Sequence, residues 1–176
     1  MPTYGVAVTI PSPFGDALRA ARVTAGDPLA RAIPPHVTLM PPTEISQREL
    51  RAFEDHLQQV ASGHEAFGMN LHGTGTFRPL SPVVFVQVSL GISSCEQLEQ
   101  AVRSGPVRRD LDFPYHPHVT VAHHVSNDRL DDVFEALAEF RADFVVASID
   151  LYSEGRDEVW RPLRRFALAA GRGAAG

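Results

Sequence analysis

The four residues PHVT at positions 35–38 recur, letter for letter, at positions 117–120, and a branched aliphatic residue follows each copy. On a β-strand, side chains alternate between the two faces, so the histidine and the threonine of each copy share one face. These polar residues are His36, Thr38, His118 and Thr120. Two such strands facing each other would present two imidazoles and two hydroxyls to one pocket.

A third His-x-Thr triplet, His72-Gly73-Thr74, has neither the preceding proline nor the intervening valine. We interpret it as an incidental match. A single triplet is well explained by a hydroxyl–imidazole hydrogen bond on a solvated strand face. The matched pair, in contrast, favours a functional role.

The two PHVT copies are suited to acid–base chemistry on a phosphate ester. An imidazole has a reference pKa of about 6.5, so it can act as base and as acid near neutral pH. Phosphodiester cleavage needs one group that takes a proton from the nucleophile and another that protonates the leaving oxygen. We therefore expect His36 and His118 to be catalytic, with Thr38 and Thr120 donating to the phosphate oxygens.

The composition is typical of a soluble globular protein of 176 residues, with 44% hydrophobic and 21% charged residues. We expect one domain of two lobes at residues 1–169 and a flexible tail at residues 170–176. The net charge of −5 argues against binding a long duplex. A nucleic-acid substrate, if there is one, is therefore expected to be bound at an end or as a small fragment.

The location expected from the sequence is the cytoplasm. The single cysteine, Cys95, excludes an intrachain disulfide, fits a reducing compartment and lies on an apolar helical stripe, where it is expected to be packed. The first ten residues lack the basic region of a signal peptide, and no apolar stretch reaches the ~20 residues of a membrane span. A monomer is expected.

The periodicity predicts seven strands and four helices. The strands are expected at 4–10, 37–40, 67–77, 83–90, 116–125, 142–152 and 161–168, with the first motif strand ended by the prolines at 41–42. The helices are expected at 14–22, at 47–61 after a Ser46–Glu49 capping box, after Ser93, and from Asn127 to 140. Stretches 36–90 and 118–168 echo each other as two similar lobes, which predicts an α+β fold with helices outside mainly antiparallel sheets.

Aromatic residues near the motifs are candidates for stacking on a base. They are Phe77, Phe113 and Tyr115, each of which also fits a core position. Arg78, in a loop, is a candidate phosphate contact. Trp160 is expected to pack in the core, and the arginines at 161, 164 and 165 to form a solvated edge.

Four histidines crowd the second motif, at positions 116, 118, 123 and 124. His116 is expected to line the pocket. His124 lies ~20 Å along a strand from His118, too far for one metal centre. We expect no metal and no cofactor, with His123 and His124 at the surface.

These motifs resemble the 2H phosphoesterase superfamily, within it the bacterial RNA 2′,3′-cyclic phosphodiesterases, also called 2′-5′ RNA ligases. The resemblance is carried by residues 33–39 and 115–121, and by GTFR at 75–78. It implies a bilobal fold with pseudo-twofold symmetry about a central cleft, and metal-independent opening of a 2′,3′-cyclic phosphate to a 2′-phosphate. The partners that it implies are RNA termini or small cyclic nucleotides. By analogy, His118 is the base and His36 the acid.

Two alternatives stay open. One is cleavage or joining of 2′-5′ phosphodiester linkages, since one site catalyses both directions of a reaction. The other is a nucleotide-binding module without turnover.

Overall fold

A computed structural model of the chain describes residues 2–171, which form eight strands and four helices. The strands are β1 (Thr3–Thr9), β2 (His36–Glu44), β3 (Phe67–Thr76), β4 (Val84–Leu90), β5 (His118–Ala122), β6 (Arg141–Val146), β7 (Ser148–Glu154) and β8 (Trp160–Ala167). The helices are α1 (Phe14–Thr24), α2 (Gln47–Ser62), α3 (Ile92–Arg103) and α4 (Asn127–Ala136). Positions 172–176 of the predicted tail lie outside the described residues.

The strands form two four-stranded antiparallel sheets, which confirms the predicted α+β class and the two lobes. The first sheet has the order β2-β1-β7-β8 and the second has the order β5-β4-β3-β6. Both motif strands, β2 and β5, therefore lie at a sheet edge. They contact each other where the two sheets meet.

The prediction that each half of the sequence forms one lobe is wrong. Strands β7 and β8 pair with β1 in the first sheet, whereas β3 to β6 form the second. The chain crosses between the sheets at Ala147, so the predicted strand 142–152 is in fact two strands in different lobes. Strand pairing depends on contacts that are distant in sequence, and a local pattern does not contain them.

Strand β2 continues through Pro41 and Pro42 to Glu44, whereas the sequence predicted that the prolines end it. A proline has no N–H to donate to a sheet, so it is tolerated on an edge strand. The register of β1 with β2 shifts between Tyr4 and Val6, which accommodates this segment. Strand β5 is shorter than predicted and excludes His116.

The Ser46–Glu49 capping box at the start of α2 is confirmed. The other two predicted caps are wrong. Helix α3 begins after Gly91, which has a φ of 100°, and Ser93 lies inside the helix. Helix α4 is capped by the Ser126 hydroxyl, one residue before the predicted cap, and ends at Ala136.

The valines of the two motifs point into the main core, as predicted. Val37 and Val119 are fully buried there. Cys95 is also fully buried, and burial raises its pKa to about 12, which makes it an unreactive packing residue. Among residues 2–171, no helix is both long and apolar enough to cross a membrane.

A second, small apolar cluster lies on the other face of the first sheet. It contains Ala7, Tyr152 and Trp160. Ala7 pairs directly with Thr38, and paired residues of adjacent strands share a face. This cluster therefore lies on the side of the sheet that carries the polar residues of the first motif.

Candidate active site

The fold brings the two motifs together. His36 and Thr38 lie on β2, His118 and Thr120 lie on β5, and all four side chains are partly exposed. The charge on a protonated His118 lowers the pKa of His36, so the imidazoles are close enough to interact electrostatically. The predicted constellation of two histidines and two threonines thus occupies the junction between the sheets.

The two histidines are oriented in the same way. His36 Nδ1 lies 2.7 Å from the carbonyl oxygen of Pro34, and His118 Nδ1 lies 2.7 Å from that of His116. A carbonyl oxygen only accepts hydrogen bonds, so each Nδ1 carries the proton. In each neutral imidazole, Nε2 therefore has the free lone pair, ready to take a proton.

The first motif has an additional internal contact. His36 Nε2 lies 3.1 Å from Thr38 Oγ1. Because Nδ1 of the neutral ring is the donor to Pro34, the Thr38 hydroxyl donates to Nε2. Among residues 2–171, Thr120 Oγ1 has no such contact, which leaves its hydroxyl available to a ligand.

Burial holds both imidazoles in the neutral form. Desolvation, with smaller contributions from the nearby charges of Arg22 and His118, lowers the pKa of His36 to about 4. Desolvation also lowers the pKa of His118, less strongly, with a smaller effect from His116. In both cases the hydrogen bond to the carbonyl oxygen opposes the shift. At pH 7 the site therefore contains two proton acceptors.

Tyr115 connects the two motifs. Its hydroxyl donates to the backbone oxygen of Thr38 at 2.7 Å. Thr38 lies on the edge strand β2, so the carbonyl oxygen that accepts from Tyr115 lies on the side of β2 where the motif strands meet. Desolvation raises the pKa of Tyr115, which keeps it a hydrogen-bond donor. The predicted pocket residue Tyr115 thus also links the segment that precedes β5 to strand β2.

A cavity of about 630 Å³ opens beside the motifs. Its lining includes all of the predicted pocket residues, Phe113, Thr38 of the first motif and both polar residues of the second, but not His36: Thr38, Phe77, Phe113, Tyr115, His116, His118 and Thr120. Two exposed apolar side chains, Leu80 at 85% and Phe113 at 72% exposure, stand at its rim. The cavity offers an apolar surface next to the imidazole of His118.

Phe77 packs against the second motif from the side. Its ring meets His118 edge-on at 4.9 Å and His116 edge-on at 5.7 Å, measured between centroids. Phe85 lies 5.2 Å from His118. These contacts restrict the His118 ring to one orientation.

Arg78 follows Phe77 in the sequence, but its guanidinium already has hydrogen-bond partners. Its Nη1 donates to Asp131 at 2.8 Å and its Nε donates to Thr76 at 3.2 Å. It is not among the described residues that line the cavity. Its phosphate contact remains a prediction.

His123 and His124 lie beyond β5, stacked on each other at 3.8 Å.

Trp160 has a role that the sequence did not predict. It is buried, as expected, but its ring stacks on His36 with centroids 4.5 Å apart. Tyr152 flanks Trp160 at 5.5 Å. The imidazole of His36 is thus held by an indole, as that of His118 is held by Phe77.

Arg22 was also missed. Its Nε donates to Asp27 at 2.8 Å, with side-chain exposures of 7% and 0%. A signal for it existed, because Arg22 continues the inward-facing stripe of Phe14 and Leu18 at intervals of four residues. A charged residue at a core position of a helix indicates a buried partner.

The chain matches the family model of the "2'-5' RNA ligase superfamily" over residues 10–158. It is 28% identical over 167 residues to "Putative phosphoesterase BH1439" of Halalkalibacterium halodurans, covering 94% of this chain and 96% of that protein. A similarly named protein of Oceanobacillus iheyensis is 25% identical over 94% and 97% of the two chains.

Two crystal structures have a similar fold. Escherichia coli LigT complexed with 3′-AMP has a TM-score of 0.70 at 20% identity, covering 96% of this chain and 99% of LigT. TT0787 of Thermus thermophilus has a TM-score of 0.71 at 22% identity, covering 97% and 100%. Together with the match of the family model, the paired His-x-Thr motifs show that the chain belongs to the 2′-5′ RNA ligase superfamily, as the motifs predicted.

Proposed function

We propose that the protein is a phosphodiesterase that hydrolyses 2′,3′-cyclic phosphates of RNA ends or small nucleotides to 2′-phosphates, without a metal. One observation carries the proposal: two imidazoles with the same tautomer lie on facing edge strands, and each presents Nε2 as its proton-accepting nitrogen, which at His36 accepts from the Thr38 hydroxyl. Acid–base cleavage of a phosphodiester needs two such groups on opposite sides of phosphorus.

In the proposed reaction, the oxygen of a water molecule attacks phosphorus while Nε2 of one histidine takes its proton. The bond from phosphorus to the 3′-oxygen breaks, and Nε2 of the other histidine gives that oxygen a proton. The Thr120 hydroxyl donates to a non-bridging oxygen, where negative charge accumulates, and the Thr38 hydroxyl does the same once it turns from His36 Nε2 to the phosphate. The product is a 2′-phosphate, and the two histidines have exchanged protonation states.

We assign the base to His36 and the acid to His118, which reverses the roles implied by the family resemblance. The base must be neutral when substrate binds, and the pKa of His36, lowered to about 4, favours this. The acid must be charged, and the pKa of His118 is lowered less. A bound phosphate anion stabilises an imidazolium, so His118 is the histidine that gains its proton more readily on binding.

The apolar cavity supports a nucleoside as the group attached to the phosphate. Its volume of about 630 Å³ falls in the range of small-molecule sites. Phe113 and Phe77 offer faces on which a base can stack. LigT, which shares this fold, has been crystallised with 3′-AMP.

We expect the kcat/KM of cyclic phosphate hydrolysis to follow a bell-shaped pH profile with its maximum below pH 6.5. This quantity reports the free protein, in which one histidine must be neutral and the other charged. Both pKa values are lowered from 6.5, that of His36 to about 4. Activity therefore rises as pH increases past about 4 and falls again before 6.5.

Initial rates at low substrate concentration, measured from pH 3.5 to 9, check this profile. The limbs of kcat should lie at higher pH than those of kcat/KM, because the bound anion favours the charged imidazoles. A kcat/KM maximum above pH 7 would contradict the lowered pKa values.

The experiment that tests the proposed function is a screen of the four nucleoside 2′,3′-cyclic phosphates and of RNA ending in a cyclic phosphate, in the presence of EDTA. We expect turnover with 2′-phosphates as the product. Formation of 3′-phosphates would contradict the assignment of the 3′-oxygen as the leaving group. The absence of any product would contradict the proposed phosphodiesterase activity.

The family match keeps one second function in view, which is cleavage or joining of 2′-5′ linkages. The same two histidines serve both, because joining is the reverse of an acid–base cleavage. A 2′-5′-linked dinucleotide tested beside a cyclic nucleotide separates the two activities. Tight nucleotide binding without product from either compound would favour a binding module.

A further inference from the structure

Arg22 is an almost buried arginine that uses one of its nitrogens. Its Nε donates to Asp27 Oδ2 at 2.8 Å, and 7% of the side chain is exposed. Asp27 is fixed in turn, because Leu29 N donates to its Oδ1 at 2.9 Å. The guanidinium therefore has a defined position and plane.

The outer nitrogens of Arg22 are uncommitted. Within residues 2–171, neither Nη1 nor Nη2 donates a hydrogen bond. In the same part of the chain, Trp160 Nε1 is the sole unpaired side-chain nitrogen or oxygen that is fully enclosed. The Nη groups are thus not enclosed, and the small exposed part of Arg22 includes them. Up to four N–H donors remain available to a ligand.

The position of Arg22 relates it to both motif strands. Helix α1 packs against β5 of the other lobe. Asp27 Oδ2, which pairs with Arg22, also accepts from the backbone N–H of His123 at 2.9 Å, just beyond β5. On the other side, the charge of Arg22 acts on His36 of β2. The guanidinium therefore lies at the His123 end of β5 and within electrostatic range of His36, outside the described lining of the cavity beside the motifs.

We propose that the Nη groups of Arg22 form an anion subsite that binds a non-bridging phosphate oxygen of the substrate held between the two motifs. Arginine is suited to this role because its planar donors match a phosphate and it never deprotonates. The Nε contact with Asp27 orients the donors in advance, so little freedom is lost on binding. The inference rests on the proposed function for the identity of the substrate, but the subsite itself requires an anion alone.

The test is titration of inorganic phosphate into the whole protein, followed by calorimetry and by the imidazole signals of His36 in NMR. The variants are R22Q, which removes the charge, and R22K, which keeps a charge for Asp27 but has no second planar pair of donors. The control is R103Q. Arg103 also pairs with a buried carboxylate, Glu99 at 3% exposure, but its Nη1 already donates to the backbone oxygen of Arg109, and its charge does not act on His36.

We expect both Arg22 variants to bind phosphate at least ten-fold more weakly than the wild type, and R103Q to bind within two-fold. The pKa of His36 should rise in R22Q, because a neighbouring positive charge has been removed. A folded R22K that binds phosphate like the wild type would overturn the subsite, as would a wild type that binds no phosphate. If R22Q does not fold, R22K decides the question.

Phosphate binding requires no turnover, so this test is independent of the proposed function. If the wild type binds phosphate through Arg22 but hydrolyses no cyclic nucleotide, the anion subsite stands and the proposed reaction is contradicted. If the R22K variant hydrolyses cyclic nucleotides and binds phosphate as well as the wild type does, the proposed reaction stands and the anion subsite at Arg22 is contradicted.

Discussion

Replacement of His36 or His118 by asparagine is expected to lower kcat for cyclic phosphate hydrolysis by about 10²–10⁴-fold, the usual contribution of one acid–base group. Asparagine can still donate to the carbonyl oxygen that each Nδ1 now contacts, so the strands should stay in place. What is lost is Nε2, the atom that carries the proton. Single-turnover rates, with excess protein, measure the chemical step directly.

The matched control is His72→Asn. His72 belongs to the third His-x-Thr triplet but lies on β3, opposite Arg141 of β6. The threonine of that triplet is buried, and its hydroxyl donates to the backbone oxygen of Phe134. We expect wild-type kcat in this variant. A residual rate within ten-fold of the wild type in either motif variant would remove that histidine from the proton transfers.

The motif residues were predictable because their chemistry and their local geometry agree. Alternation along a strand places His36 beside Thr38 and buries Val37, and the structure has both arrangements. The Ser46–Glu49 capping box is equally local, since both partners lie within one turn. Features that depend on a few neighbouring residues were thus accessible from the sequence.

The features that were missed depend on contacts between distant segments. The crossing at Ala147 puts β7 beside β1 rather than beside β6, and no pattern within 142–152 indicates it. Trp160 was expected to be a core residue, but that expectation could not include its stacking on His36. Arg22 had a local signal in its helical stripe, and its partner Asp27 is close in sequence, but the backbone of His123 that Asp27 also contacts is not.

Replacement of Asp27 by asparagine is expected to lower the free energy of unfolding by about 3–5 kcal/mol, because removal of one partner leaves a buried charge uncompensated. Asp27 is fully buried against Arg22. It also accepts from the backbone N–H of Leu29 in the same segment and from that of His123, and the second of these contacts joins the two lobes. Urea unfolding at pH 7, analysed by linear extrapolation, measures the loss.

Asp157→Asn is the control for this measurement. Asp157 pairs with Arg161 on the surface, where both side chains are 54% exposed, so water replaces the lost contact and no measurable change is expected. Equal losses in the two variants would contradict the role of burial.

The double variant R22M/D27L separates the stability of the buried pair from its binding role. Apolar side chains of similar volume often replace a buried ion pair without a loss of stability. We therefore expect R22M/D27L to unfold at a higher urea concentration than D27N, with part of the deficit remaining because the N–H groups of Leu29 and His123 lose their acceptor. If Arg22 is an anion subsite, the double variant should still bind phosphate weakly despite its recovered stability. A parallel recovery of both properties would mean that the pair only holds the lobes together.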